Sequence, residues 1–262
     1  MRNGKEMGPL CFMAPSYTDR FANEKQEMHV EAGGLGPICL AMENALIIGA
    51  SGGIGGALAT ALHQRGVAVS TLSRSVDGLD ITHEASVARA MAGLHGPFDL
   101  VLVASGGLEI DGKAPEKSLR QIDAQAMAAQ FALNCIGPAL VLKYALPLLP
   151  RTGRCVFAAL SARVGSIGDN RLGGWVSYRA AKAALNQVIH TGAIELARSH
   201  KGAICVALHP GTVQTDFTQK YLGRHPAVPP ATAAANLLAV IDGLQHPDSG
   251  GFFDWQGKSV PW

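Results

Sequence analysis

From Asn44 onward, short apolar runs alternate with longer stretches of helical period. The runs Ala45–Ile48, Gly66–Leu72, Phe98–Ala104, Arg154–Leu160 and Ala203–Leu208 carry few polar interruptions, the pattern of parallel strands buried on both faces. Between them, Ala57–Gln64, a long region from Ser118 to Leu149, and an apolar stripe around Ala180–Ala193 read as helices. This alternation predicts one α/β layer structure, and 262 residues suffice for a single large core. Before Met42 the pattern fails. The first forty or so residues mix Gly, Pro and charged residues without a steady period, and they lack the apolar core of a signal peptide. Residues 1–42 are therefore expected to be a flexible extension or the product of an upstream start, with an arm packing on a neighbouring subunit as the alternative. Residues 43–262 are expected to form the folded domain.

Two segments carry chemistry. The strand Ala45–Ile48 runs into Gly49, Gly53 and Gly55 and then into a helix. Glycines at such a turn let backbone approach a ligand closely, and the first free N–H groups of the helix face an anion such as a pyrophosphate. The spacing is Gly-x-x-x-Gly-x-Gly, not the Gly-x-Gly-x-x-Gly of the usual dinucleotide fingerprint. The competing reading is a small-residue turn that binds nothing. Further on, Tyr178-Arg-Ala-Ala-Lys182 places a phenol and an ammonium one helical turn apart, about 6 Å along the axis. An ammonium beside a phenol favours the phenolate, so Lys182 is expected to lower the Tyr178 pKa toward the range useful for proton exchange with an alcohol or carbonyl oxygen. Alone, this spacing arises often by chance.

In this order, and about 130 residues apart, the two motifs resemble those of the short-chain dehydrogenase/reductase family over most of the chain from Asn44. The run Leu160–Lys182, His209–Thr215 and the terminal Gly251–Trp262 are most similar to the C-factor and sniffer-like carbonyl-reductase branch. The resemblance implies a single Rossmann-type, doubly wound parallel sheet with helices on both faces. It also implies NAD or NADP as cofactor, and Asn134, Ser161, Tyr178 and Lys182 as catalytic residues. The cofactor contacts it implies are Gly49, Ser51, Gly53, Ile54 and Gly55 in the turn, and Ser73 and Arg74 at the second strand end. Asp80 would meet the adenine, Ala104, Ser105 and Gly106 would flank the dinucleotide, and Tyr178 and Lys182 would touch it. Pro210, Gly211 and Thr215 would lie over the nicotinamide.

Several positions refine this picture. Ser73 stands at the acidic position of NAD binders, Arg74 follows, and no carboxylate occurs before Asp77, so NADP(H) is favoured over NAD(H). Only six residues separate Arg74 from Asp80, and the usual intervening helix is expected to be missing. Ser105-Gly106-Gly107 replaces the family's Asn-Asn-Ala-Gly, so that asparagine's role does not carry over. Asn134, next to Gly137-Pro138, would bend its helix and hold a water reaching Lys182; the alternative is an Asn that bonds only to backbone. Ser161 ends a strand, where open parallel sheets place ligands. Counted back from Gly165, however, the family serine falls at Ala162, and Ser166 is a further candidate. Arg163, Asp169, Arg171 and Trp175 sit in a loop that lines the substrate pocket or the plain surface. His209 reads as a packed strand-end residue.

A formal net charge of +2 without a basic run gives no case for nucleic acid. The five cysteines show no metal-ligand spacing, and three lie in apolar patterns, as reduced buried thiols of a cytoplasmic protein do. No uninterrupted membrane span is expected; Ala126–Pro150 comes nearest, but Gln130, Asn134, Lys143, Pro138 and Pro147 interrupt it. The expected activity is hydride transfer between NADP(H) and a small carbonyl or alcohol, in a homodimer or homotetramer without metal. The alternative is a dinucleotide-binding sensor or signalling protein with little turnover.

Overall fold

The computed structural model describes residues 42–215, 218–221 and 226–262. The extension expected over residues 1–42 lies, except for Met42, outside the described residues. The elements run β1 (Asn44–Ile48), α1 (Gly53–Gln64), β2 (Ala68–Leu72), α2 (Arg74–Asp77), α3 (Glu84–Ala92), β3 (Leu100–Val103), α4 (Ala124–Phe131), a π turn (Ala132–Ile136), α5 (Gly137–Ala145), β4 (Cys155–Leu160), α6 (Val176–Ser199), β5 (Ala203–His209), α7 (Pro230–Gly243) and β6 (Phe252–Asp254). The strands form one parallel sheet in the order β2-β1-β3-β4-β5-β6. The order in which successive strands are added reverses between β1 and β3, the switch point where such sheets open a crevice beyond the carboxyl ends of their strands.

Alternate residues of each strand feed two separate cores. On one face Ala45, Ile47, Leu100, Leu102, Val156, Ala158, Ile204 and Val206 meet Leu58 and Leu62 of α1 and Leu237, Leu238 and Ile241 of α7. On the other, Leu46, Ile48, Val101, Val103, Phe157 and Cys205 meet Val87 of α3, Val141 of α5 and Leu185 and Ile189 of α6. Double-sided burial explains why the strands read as continuous apolar runs. The doubly wound α/β architecture expected from the sequence is the one present.

Three local expectations are corrected. A single helical turn, α2, is present and starts at Arg74 itself, closed by Gly78 in the left-handed conformation (φ 66°) before Asp80; no further strand is added there. The region Ser118–Leu149 is not one regular helix. It starts at Ala124, where Asp123 caps the Ala126 N–H, and it widens into the π turn around Asn134. Finally, Ala124–Leu148 is long and apolar enough to cross a membrane by length and composition alone, despite its polar interruptions. In this fold its Val141, Leu142 and Ala145 pack on the sheet core.

Candidate active site

The glycine turn closes tightly against β3. A Cβ built on Gly49, whose φ is +90°, would lie 2.6 Å from Ser105 Oγ and 2.8 Å from its backbone nitrogen. One on Gly55 would lie 2.3 Å from the Gly49 carbonyl oxygen. Only glycine fits either place, so the first turn of α1 packs directly on the end of β1. Ser51 and Gly53 remain exposed and Ile54 half-buried. Helix α1 has Gly52 as N-cap and no side-chain cap, which leaves its first N–H groups open to an anion. Thr215, from the loop after β5, approaches the same turn: its Cγ2 would stand 2.7 Å from a Cβ on Gly53. Pro210 and Gly211 (φ +77°) begin that loop, half-buried. Gly49, Gly53, Gly55, Ser105 and Thr215 are thus brought together, and the backbone cradle there fits a dinucleotide phosphate.

At the end of β2, Ser73 is buried and its hydroxyl accepts from the Val76 N–H. Arg74 is exposed. The Asp77 carboxylate folds back onto the strand end, accepting from the Ser73 backbone N–H at 2.7 Å and from its hydroxyl at 3.2 Å. A carboxylate four residues downstream therefore reaches the place where position alone put none; the left-handed Gly78 that closes α2 accompanies this return. Asp80 is engaged locally. It accepts from the Thr82 N–H and hydroxyl and lies 3.0 Å from His83 Nδ1, contacts that lower its pKa.

The four catalytic candidates divide. Tyr178 and Lys182 project from one face of α6, and Lys182 Nζ lies 5.9 Å from the Tyr178 ring centre. Asn134 sits in the π turn with its side chain fixed: Oδ1 accepts from the Gly107 N–H at 3.1 Å, while Nδ2 donates to the Gly107 carbonyl and to Gln130. A Cβ on Gly106 would lie 3.0 Å from Asn134 Oδ1 and 3.6 Å from Lys182 Nζ, so the end of β3, the π turn and α6 converge there. Ala104 and Ser105 precede Gly106 on this edge. A π turn is a costly irregularity that recurs at functional sites, and it frees backbone carbonyls that a regular helix would use.

Ser161 departs from expectation. It is 4 % exposed, and its hydroxyl donates to Asn186 Oδ1 at 2.6 Å. Asn186 Nδ2 points to the Gly165 carbonyl at 3.5 Å, which orients the amide. The one hydroxyl hydrogen of Ser161 is thereby engaged by Asn186 in this structure. Ser166, the other candidate, donates to the Pro261 carbonyl and ties the loop to the C-terminal segment. The backbone is extended at Ala162 (φ −145°, ψ 143°), so its methyl points away from the side on which Ser161 meets Asn186.

Electrostatics also correct the sequence reading. Burial raises the Tyr178 phenol well above its ordinary value and lowers the Lys182 ammonium to about 8. Lys182 Nζ donates to the Leu160 carbonyl at 2.8 Å, and its charge does not offset the loss of solvent around the phenol. The phenol therefore keeps its proton and the ammonium, still charged at pH 7, gives up its own more readily than usual, where helical spacing alone suggested an acidified phenol. His209 is packed as expected: burial lowers it to about 4 and Nδ1 has no partner among the described residues. Arg163 pairs with Asp169, and Arg171 is exposed. Trp175 stacks edge-on to Tyr178 at 6.4 Å and to Tyr221 at 5.6 Å. Among the described residues no cluster of side chains could hold a metal ion.

Asp77, Asn186 and Gln130 were not singled out from sequence. Asn186 carried the clearest signal, four residues beyond Lys182 and so on the same helix face.

A family profile described as short chain dehydrogenase matches residues 43–224. The 1-hydroxy-2-glutathionyl-2-methyl-3-butene dehydrogenase of Rhodococcus sp. (strain AD45) is 31 % identical over 236 residues, covering 84 % of this chain and the whole of that protein. The C-signal of Myxococcus xanthus is 38 % identical over 145 residues, 55 % of this chain and 84 % of its own. Among solved structures, the NADPH-bound carbonyl reductase from chicken fatty liver superposes with a TM-score of 0.73 at 25 % identity, over 85 % of this chain and 95 % of its own. The carbonyl reductase Sniffer of D. melanogaster shares the fold with the same TM-score at 21 % identity, over 85 % of this chain and all of its own.

Proposed function

Since the chain belongs to the short-chain dehydrogenase/reductase family of NAD(P)-dependent oxidoreductases, we propose that it interconverts a carbonyl and an alcohol with NADP(H), using Tyr178 as the proton donor and acceptor. The observation that carries this reading is the convergence of Lys182 and Asn134 on Gly106, with Tyr178 one turn before Lys182, at the carboxyl edge that also holds the glycine turn. When bound, the dinucleotide supplies or takes the hydride. Its phosphates would rest on the turn Gly49–Gly55 and the open N–H groups of α1, with Ser73 and Arg74 at the adenosine ribose and Asp80 toward the adenine. Ala104, Ser105, Gly106, Pro210, Gly211 and Thr215 would flank the rest.

At neutral pH the buried Tyr178 keeps its proton, the state required to donate one to an oxygen that gains charge. Lys182, close to its own titration point, takes part in returning that proton. A water on the π-turn backbone beside Asn134 would connect it to solvent. The names of two relatives fit the two directions of such chemistry, one a dehydrogenase and one a carbonyl reductase. For cofactor choice, Arg74 favours a 2′-phosphate, whereas the Asp77 carboxylate beside Ser73 opposes it; the reading gives Arg74 the larger weight. The groove between α5 and α6, lined by Leu142, Leu146, Val188 and Leu196, is the face we assign to a second copy of the chain in a homodimer or homotetramer.

The test is NADPH oxidation across a panel of aldehydes, ketones and quinones, with Tyr178→Phe beside the wild type. Turnover should fall by about 10²-fold or more in the variant while NADPH affinity stays within about twofold. An unchanged rate refutes the role of Tyr178. Binding without oxidation across the panel supports the sensor alternative.

A further inference from the structure

The first turn of α6 carries Tyr178, yet it has no cap of its own. Its N-cap residue, Trp175, is left-handed (φ 52°, ψ 41°) and makes no side-chain cap bond. Gly173 and Gly174 before it are also left-handed (φ 65° and 66°). A bulky residue in this region is held there only when its surroundings impose it.

The surroundings are supplied by Glu116, from the loop between β3 and α4. Its backbone carbonyl accepts from the Trp175 N–H at 2.6 Å. Its carboxylate accepts from the Ser177 N–H at 3.3 Å and from the Ser177 hydroxyl. Glu116 is only 8 % exposed and Ser177 is 2 % exposed. A carboxylate at the positive end of a 24-residue helix is in a favourable field, and the two donors satisfy it where water does not. From the other side, Arg179 clamps the same bend, donating to the carbonyls of Gly174, Gly173 and Val164.

The loop that carries Glu116 is itself anchored to the π turn. Asn134 bonds both backbone groups of Gly107, and Gln130 donates to the Leu108 carbonyl. The Lys113–Asp123 pair holds the same loop to the start of α4. One loop thus spans from Asn134 to the residue before Tyr178.

We propose that Glu116 is a positioning residue: it caps α6 from outside the helix and thereby fixes the Tyr178 phenol relative to Lys182 and Asn134. This rests on the role assigned to Tyr178 above, but the brace itself can be read without turnover. Three full-length proteins are compared with NADPH bound: wild type, Glu116→Ala and Glu116→Gln. Residue-resolved amide exchange should accelerate about tenfold at Ser177, Tyr178 and Arg179 in Glu116→Ala, with Leu185 to Ala193 unchanged. With 9,10-phenanthrenequinone as the carbonyl probe, kcat should fall about tenfold in Glu116→Ala while the NADPH Kd moves less than about twofold. Glu116→Gln, whose amide oxygen still accepts from Ser177, should recover most of both.

Unchanged exchange in Glu116→Ala overturns the proposal, as does faster exchange with an unchanged kcat. It is equally overturned if protection is lost evenly along α6 and NADPH affinity falls in step with kcat, because Glu116 then serves the fold alone. If the wild type does not turn over the quinone at all, the exchange data still decide whether Glu116 braces the helix. That failure bears on the proposed activity instead.

Discussion

Replacing Lys182 by Met should make the protein more stable and inactive. The side chain is 3 % exposed, and burial lowers its ammonium from an ordinary 10.5 to about 8. At about 1.4 kcal/mol per pH unit, the charged form costs the folded state about 3 kcal/mol at pH 7. Methionine removes that cost in nearly the same volume, but it forfeits the bond to the Leu160 carbonyl, worth about 1 kcal/mol. The net expectation is a gain of about 2 kcal/mol in urea unfolding of the cofactor-free protein at pH 7. The sign with pH follows from the lowered value. Below about 8 the lysine is protonated in both states and the full penalty stands. As pH rises from there toward 10.5, the folded state sheds its proton first, so the wild type gains stability relative to the variant. The advantage of the variant should therefore shrink to within about 1 kcal/mol at pH 9.5. A variant less stable than wild type at pH 7, or a gap that does not close on going to pH 9.5, refutes the account of Lys182 as a charge held against its solvation. Such a trade of stability for function is common where a site needs a group its fold disfavours.

Two further outcomes follow from the same site. Ser161→Ala should change NADPH turnover by less than about threefold and destabilise the fold by about 1 kcal/mol, since Asn186 Oδ1 loses its donor. A loss of 10²-fold or more in kcat would instead return Ser161 to the chemistry; Ala162→Ser, which restores a hydroxyl three residues before Gly165, should raise kcat. At the β2 end, Arg74→Ala should weaken NADPH binding by about tenfold, and Asp77→Asn should strengthen it severalfold by removing a negative charge beside the phosphate. Fluorescence titration with NADPH and NADH reads both, and variants that shift the two cofactors equally would show that this strand end does not choose between them.

The sheet was legible because its central strands β1, β3, β4 and β5 are buried on both faces. Ala45–Ile48 and Arg154–Leu160 could hardly be anything else, and their predicted ends lie within a residue of the observed ones. Shorter elements were hidden for opposite reasons. β6 has three residues, too few for a period to register. α2 is a single turn, closed by Gly78 in a conformation that no apolar pattern reports. The π turn at Asn134 was visible only as a disturbance of helical regularity, from an asparagine followed by Gly137-Pro138.

Of the site, spacing located Tyr178 and Lys182 on one face but was silent about how much water that face keeps. Spacing therefore gave the sign of their mutual interaction and missed the larger opposing effect of burial. The partner of Ser161 was hidden for a related reason. The serine's place at the strand end was legible, but the direction of its hydroxyl depends on Asn186, 25 residues away on another element. Glu116 lies 61 residues before Ser177 and belongs to no motif, so only the folded chain brings its carboxylate to the helix end. The left-handed Trp175 supplies the physical link between these cases. A helix that began with an ordinary cap could place Tyr178 by local sequence alone. This one begins with a strained bend, and the position of its phenol accordingly depends on a side chain that no local reading of Val176–Ser199 contains.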